Sequence, residues 1–163
     1  MNETFTGRVW TLGDDIDTDI IIPTEYLALK TVQDMAPYAF SPLRPELAAQ
    51  IRPGDLIVAG KNFGCGSSRE QAPEIIMALG IKCVVAKSFA RIFFRNAINN
   101  GLLLIENADL RDAVSEGDSI EIRVNEKITH NGNDYAIASL PRNLVDIIDA
   151  GGLVKAMQAR NGV

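Results

Sequence analysis

Three short apolar runs, residues 55–60 (DLIVAG), 83–88 (CVVAKS) and 102–106 (LLLIE), are separated by stretches long enough for a helix and its turns. This spacing constrains the fold more than any other feature of the chain. Runs of this length, bounded by glycine, read as buried strands rather than helices. After the first comes a glycine-rich turn, KNFGCGSSRE, and then a helix-compatible pattern over residues 70–79 that ends at Gly80. After the second, Ser88 can cap a helix through Phe89, Ile92, Phe93, Ala97 and Ile98 that stops at Gly101. Strand, turn, helix, strand is the βαβ unit.

The flanks read differently. Residues 5–11 (FTGRVWT) have strand character, and SIEIRV at 119–124 alternates with a period of two. HNGND at 130–134 carries an Asn-Gly hairpin signal at Asn131 and Gly132, with YAIASL at 135–140 as the partner strand. The tail, 141–160, is helical around a Gly151-Gly152 break. Between residues 24 and 53 lies a proline-interrupted stretch, with Pro37, Pro42, Pro45 and Pro53, in which 32–35 and 46–51 can each supply a turn or two. It reads as a long loop, expected to be mobile in the isolated chain, and long loops in compact domains are often functional.

A chain of 163 residues, 47% hydrophobic and 23% charged, suits one soluble domain spanning 1–163. Sixteen Lys and Arg against 21 Asp and Glu leave a net charge of -5, which argues against nucleic acid as a partner. No run approaches the roughly 18 apolar residues that cross a bilayer, and the start MNETFTGRVW lacks the pattern of a secretory leader. No membrane association and a cytoplasmic location are the expectation. One histidine, His130, and two cysteines, Cys65 and Cys83, are too few for a self-contained zinc or iron-sulfur site, so no metal is expected on this chain alone. If it works with a metal, another chain brings it.

Residues 60–73, GKNFGCGSSREQAP, place three glycines, two hydroxyls and a guanidinium where a strand meets a helix. Such a junction suits an anion, because backbone N–H groups of the turn and first helical turn are free and glycine permits close approach. Arg69 adds a planar fork for a carboxylate or phosphate. The plainer alternative is a helix cap by Ser67 or Ser68, with Glu70 closing a capping box to Ser67. Cys65 fills the tight turn, with no histidine near in sequence to make it a nucleophile. Asp14, Asp15, Asp17 and Asp19 crowd the stretch 13–23, which lacks the glycine and glutamate of a calcium loop. One of them could hold a hydroxyl or orient an arginine, while the others solvate or cap a turn. Arg91 and Arg95, four apart on the second helix, read as a solvated stripe.

In this order, GDDIDTDIIIP, YLAL, GKNFGCGSSREQAP and AKSFARIFFRNAINNGLL resemble the small subunits of 3-isopropylmalate dehydratase, separate-chain counterparts of the aconitase swivel domain. The resemblance spans nearly the whole chain. It implies an α/β aconitase-like swivelling domain, a small mixed sheet or open barrel flanked by helices. It also implies a hydro-lyase subunit of leucine biosynthesis, active only with a large subunit that carries a [4Fe-4S] cluster, as a heterodimer or heterotetramer. By the same resemblance Ser67 is the base that abstracts a proton alpha to a carboxylate, and Ser68 and Arg69 bind substrate carboxylate. Asp19, after Thr18, orients active-site groups. Tyr26, Leu27, Ala28 and Leu29 read the substrate's side group. Homoaconitase-type chains have arginine where Ala28 stands, so Ala28 implies an apolar group such as isopropyl. Homoaconitate, 2,3-dimethylmalate and citraconate-type acids stay open as substrates, with Lys30 near enough in sequence to meet a distal carboxylate. A carboxylate-binding module without chemistry is a further alternative.

Overall fold

The structure, a computed structural model, describes residues 4–160. Seven strands, β1 (Thr4–Thr11), β2 (Leu56–Ala59), β3 (Cys83–Ala86), β4 (Leu103–Glu106), β5 (Ser119–Arg123), β6 (Lys127–His130) and β7 (Asn133–Ala136), form one sheet. Their order is β4-β3-β2-β1-β5-β6-β7. Every residue of β2 and β3 is buried, as expected of parallel strands covered on both faces.

β1 serves two halves. Val9, Trp10 and Thr11 pair in parallel with Leu56, Ile57 and Val58, whereas Thr4 to Arg8 pair antiparallel with β5. On one side β2, β3 and β4 continue in parallel; on the other β5, β6 and β7 form an antiparallel meander. The sheet curls into a half-barrel, and its far ends meet where Asn107, just after β4, donates from Nδ2 to the carbonyl of Ala136 at 3.0 Å. The expected mixed sheet or open barrel is thus what forms.

Helices α1 (Thr18–Ile21), α2 (Val32–Met35) and α3 (Leu47–Gln50) precede β2; α4 (Gln71–Ala78) and α5 (Arg91–Asn99) are the two crossovers. α6 (Leu110–Ala113), α7 (Arg142–Ala150) and α8 (Leu153–Arg160) follow. Among the described residues no helix is long and apolar enough to cross a membrane. α4 buries Ala72, Pro73, Ile75 and Ile76, and α5 buries Phe93, Ala97 and Ile98. Each large side chain so placed contributes roughly 1.5–3 kcal/mol relative to exposure. α7 packs on α5, and α8 on both.

Three expectations need correction. Ser88 does not cap α5: the helix begins at Arg91 with no side-chain cap, and the Ser88 hydroxyl accepts the Asn62 N–H at 2.8 Å instead. The hairpin partner strand begins at Asn133, not Tyr135, because the two-residue turn with Asn131 and Gly132 at positive φ sets His130 opposite Asn133. The stretch 24–53 is more than a long loop. Besides α2 and α3 it holds 3-10 turns at Thr24–Ala28 and Ala36–Tyr38, and it buries Met35, Ala36, Ala39, Phe40, Leu47 and Ile51.

Candidate active site

In an open sheet the loops that leave the carboxyl ends of parallel strands gather on one edge, where ligands bind. Here the loops after β1, β2 and β3 do so and are laced together by main-chain hydrogen bonds. Residues 13–18 and 60–67 exchange them repeatedly: Gly60 N to Gly13 O at 3.0 Å, Asp15 N to Lys61 O at 2.8 Å, Gly64 N to Ile16 O at 2.7 Å and Thr18 N to Cys65 O at 2.9 Å. The loop after β3 joins from the other side, through Phe63 N to Ser88 O at 3.0 Å and Ala90 N to Phe63 O at 2.9 Å.

Glycine is needed where these loops come closest. Gly64 has φ 85°, and a Cβ there would run into the Phe93 ring. At Gly60 a Cβ would displace the Asp14 carboxylate, whose Oδ1 accepts the Lys61 N–H at 2.7 Å.

The aspartates divide their work. Asp14 and Asp15 brace the turn, Asp15 by accepting from Asn62 Nδ2 at 3.1 Å. Asp17 caps α1, accepting the Ile20 N–H at 2.8 Å. Asp19 pairs with the Arg69 guanidinium, fifty residues along the chain. Arg69 Nη2 also donates to Thr24 Oγ1 at 2.9 Å, and Nη1 reaches the Ile22 carbonyl at 3.5 Å.

The capping alternative for the serines fails. α4 begins at Gln71 after Glu70, with no side-chain cap. Both serines are exposed, and among the described residues neither hydroxyl has a hydrogen-bond partner. The Ser67 backbone is nevertheless fixed, its carbonyl accepting the hydroxyl of buried Thr18 at 2.6 Å.

Beside this turn lies a cavity of about 230 Å³, walled by Gly64, Gly66, Ser68 and Arg69 on one side and by residues 90–93 and Asn96 on the other. Ser68 and Arg69 therefore share a wall of the cavity, with Asp19 behind Arg69 and Ser67 adjacent in the chain. The set 26–29 does not line the cavity. Tyr26 stacks on Tyr38 with ring centroids 4.0 Å apart, Leu27 is half-buried, and Ala28 and Leu29 are exposed. Their link to the site is the Thr24 hydroxyl on Arg69, at the start of their 3-10 turn.

Arg91 is the residue that sequence reasoning passed over. It reaches the cavity, whereas Arg95 lies in a separate groove with Ile98 and Leu144. Only its place directly after a loop on the same sheet edge could have marked it.

Burial, followed by the charges of Asp17 and Asp15, pushes the Cys65 thiol up, so it stays protonated near neutral pH. Cys83 is fully buried and pushed up by that burial. His130 is buried in the antiparallel half against Asp118 at 2.9 Å. Among the described residues no three of His, Cys, Asp or Glu gather as metal ligands. These donors do not fit an iron-sulfur cluster held by this chain.

Comparison with known proteins agrees with this geometry. The model of the aconitase C-terminal domain matches residues 28–110. A 3-isopropylmalate dehydratase small subunit of Lachnospira eligens is 80% identical over 163 residues, covering 100% of this chain and 99% of that protein. One from Heliobacterium modesticaldum is 47% identical over 159 residues, 96% of each chain. The crystal structure of a 3-isopropylmalate dehydratase from Methanocaldococcus jannaschii superposes with a TM-score of 0.92 at 41% identity, covering 98% of this chain and 96% of that one. With Gly64, Gly66, Ser68 and Arg69 of the glycine turn lining one cavity on an aconitase-type sheet, the chain belongs to the family of 3-isopropylmalate dehydratase small subunits.

Proposed function

We propose that this chain is the small subunit of a 3-isopropylmalate dehydratase, a hydro-lyase subunit that works in leucine biosynthesis, in the cytoplasm, as one domain docked to a larger subunit. The reaction removes water across two adjacent carbons and adds it back the other way round. The observation that carries the reading is the turn itself, which sets Ser68 and Arg69 on the cavity wall with Ser67 next in the chain, its serines free of any capping duty.

Ser67 is the base for the proton alpha to a carboxylate. A serine alkoxide needs nearby N–H donors and positive charge to persist. The glycine turn and Arg69 offer both, and the Thr18 hydroxyl on the Ser67 carbonyl limits drift of the reacting oxygen. Arg69 and Ser68 hold a substrate carboxylate. Asp19 keeps the guanidinium aimed, since an arginine side chain left free loses entropy when a ligand orders it. A [4Fe-4S] cluster bound by the larger subunit would supply Lewis-acid chemistry at the substrate hydroxyl.

Ala28 and Leu29 read the substrate's side group from the 3-10 turn that Thr24 ties to Arg69. Burying an isopropyl group against them gains roughly 1–3 kcal/mol, while an unpaired carboxylate there would cost several. Co-expressed anaerobically with a larger subunit, the chain is expected to favour 2-isopropylmalate over homoaconitate, 2,3-dimethylmalate and citraconate by about tenfold or more in kcat/KM. Preference for another acid overturns the substrate; absence of turnover on all four overturns the enzyme reading.

A further inference from the structure

We propose that Arg91 is a second substrate-binding arginine, taking one carboxylate of the hydroxy diacid across the cavity from Ser68 and Arg69. The dehydratase reading supplies the identity of the ligand; the cavity and its charges supply the rest. Two arginines, Arg69 and Arg91, line a space of about 230 Å³. Their electrostatic states differ. Arg69 is paired with Asp19 and further bonded to Thr24 and the Ile22 carbonyl. Arg91 is exposed and, among the described residues, has neither an ion pair nor a hydrogen bond. A diacid carries two negative charges, and Asp19 already offsets part of the charge that Arg69 brings. Arg91 is the uncompensated cation on that cavity wall, and a guanidinium matches a carboxylate in shape as well as charge.

The backbone that carries Arg91 is set in place before any ligand arrives. The loop after β3 is pinned by Lys87 N to Gly60 O at 3.1 Å, Phe63 N to Ser88 O at 3.0 Å and Ala90 N to Phe63 O at 2.9 Å. Phe89 N–H is further held by the Glu106 carboxylate at 3.1 Å. A charged group on so firmly held a support binds without first ordering its main chain. Arg95, one helical turn on, faces a different groove and serves as an internal control.

The test uses the two-subunit complex and whichever hydroxy diacid the unaltered complex turns over best, so a wrong substrate assignment shows in the unaltered complex and leaves the Arg91 comparison intact. Arg91→Gln, Arg91→Lys and Arg95→Gln are compared for assembly, KM and kcat. Loss of a charge-assisted carboxylate contact predicts a rise of about tenfold to a hundredfold in KM for Arg91→Gln. A smaller rise is expected for Arg91→Lys, partial recovery of Arg91→Gln by added guanidinium, and Arg95→Gln within about twofold of the unaltered complex. Unchanged KM in Arg91→Gln overturns the proposal. So does failure of Arg91→Gln to co-purify with the larger subunit, which would assign Arg91 to the contact between subunits.

Discussion

The glycine turn at residues 60–70 lines the site and the segment at residues 24–31 reaches it through Thr24, and the two are held by different kinds of bond. The turn is fastened through its main chain, by hydrogen bonds to residues 13–18 on one side and to Ser88 and Ala90 on the other. The segment 24–31 is mostly exposed and held by side chains: the Thr24 hydroxyl on Arg69 ties it to the site, and Tyr26 stacks on Tyr38. A main-chain lattice survives changes in side-chain identity, whereas side-chain tethers change with every substitution. The division suits an enzyme whose proton transfer must stay fixed while its substrate varies, with chemistry on the rigid support and choice on the adjustable one.

The largest effect expected from disturbing this arrangement is at Gly64. Gly64→Ala adds a Cβ at φ 85° against Phe93 and should cost about 3 kcal/mol, read as a drop in thermal midpoint and loss of assembly. A variant as stable as the parent would mean that the turn is not tightly held. Thr24→Val comes next. It removes an exposed hydroxyl bonded to Arg69, so kcat/KM should fall about threefold to tenfold with the thermal midpoint unchanged. A large loss of stability would place Thr24 in the fold rather than the tether. Hydrogen exchange of the isolated chain sharpens the contrast without any substitution. Amides of 24–31 should exchange about a hundredfold faster than those of Phe63 and Gly64, and equal protection would erase the distinction.

Much of the fold could be read in advance because local chemistry and global position agree. Residues 56–59, 83–86 and 103–105 are apolar throughout because both faces of β2, β3 and most of β4 are covered, and Asn131-Gly132 encodes its turn directly. The serines show where local reading stops. Ser67, Ser68 and Ser88 all stand in capping contexts, yet α4 and α5 start two or three residues later, and the Ser88 hydroxyl takes an N–H from the neighbouring loop. In the stretch 24–53 the turns at 32–35 and 46–51 are legible but the way the segment packs is not, for a related reason. Its anchors are long-range, such as Phe40 N to Ile21 O at 3.1 Å, and leave no periodic trace. Ser67, Ser68, Arg69 and Asp19 are assigned through motif order, and the structure shows the Asp19–Arg69 pair that links two of those motifs. Arg91 was missed because the wall it shares with Arg69 exists only once β2 and β3 lie side by side.

The central claim, that the rigid turn carries the chemistry and the tethered segment chooses the substrate, is tested most directly by kcat and KM of Ser67→Ala and Ala28→Arg complexes on 2-isopropylmalate and homoaconitate. Ser67→Ala should lose about a thousandfold in kcat on either acid while still assembling, as expected when a general base is removed. Ala28→Arg should keep turnover but depress activity on isopropylmalate relative to homoaconitate. Turnover of Ser67→Ala within about tenfold of the unaltered complex, or equal loss on both acids in Ala28→Arg, would contradict the account.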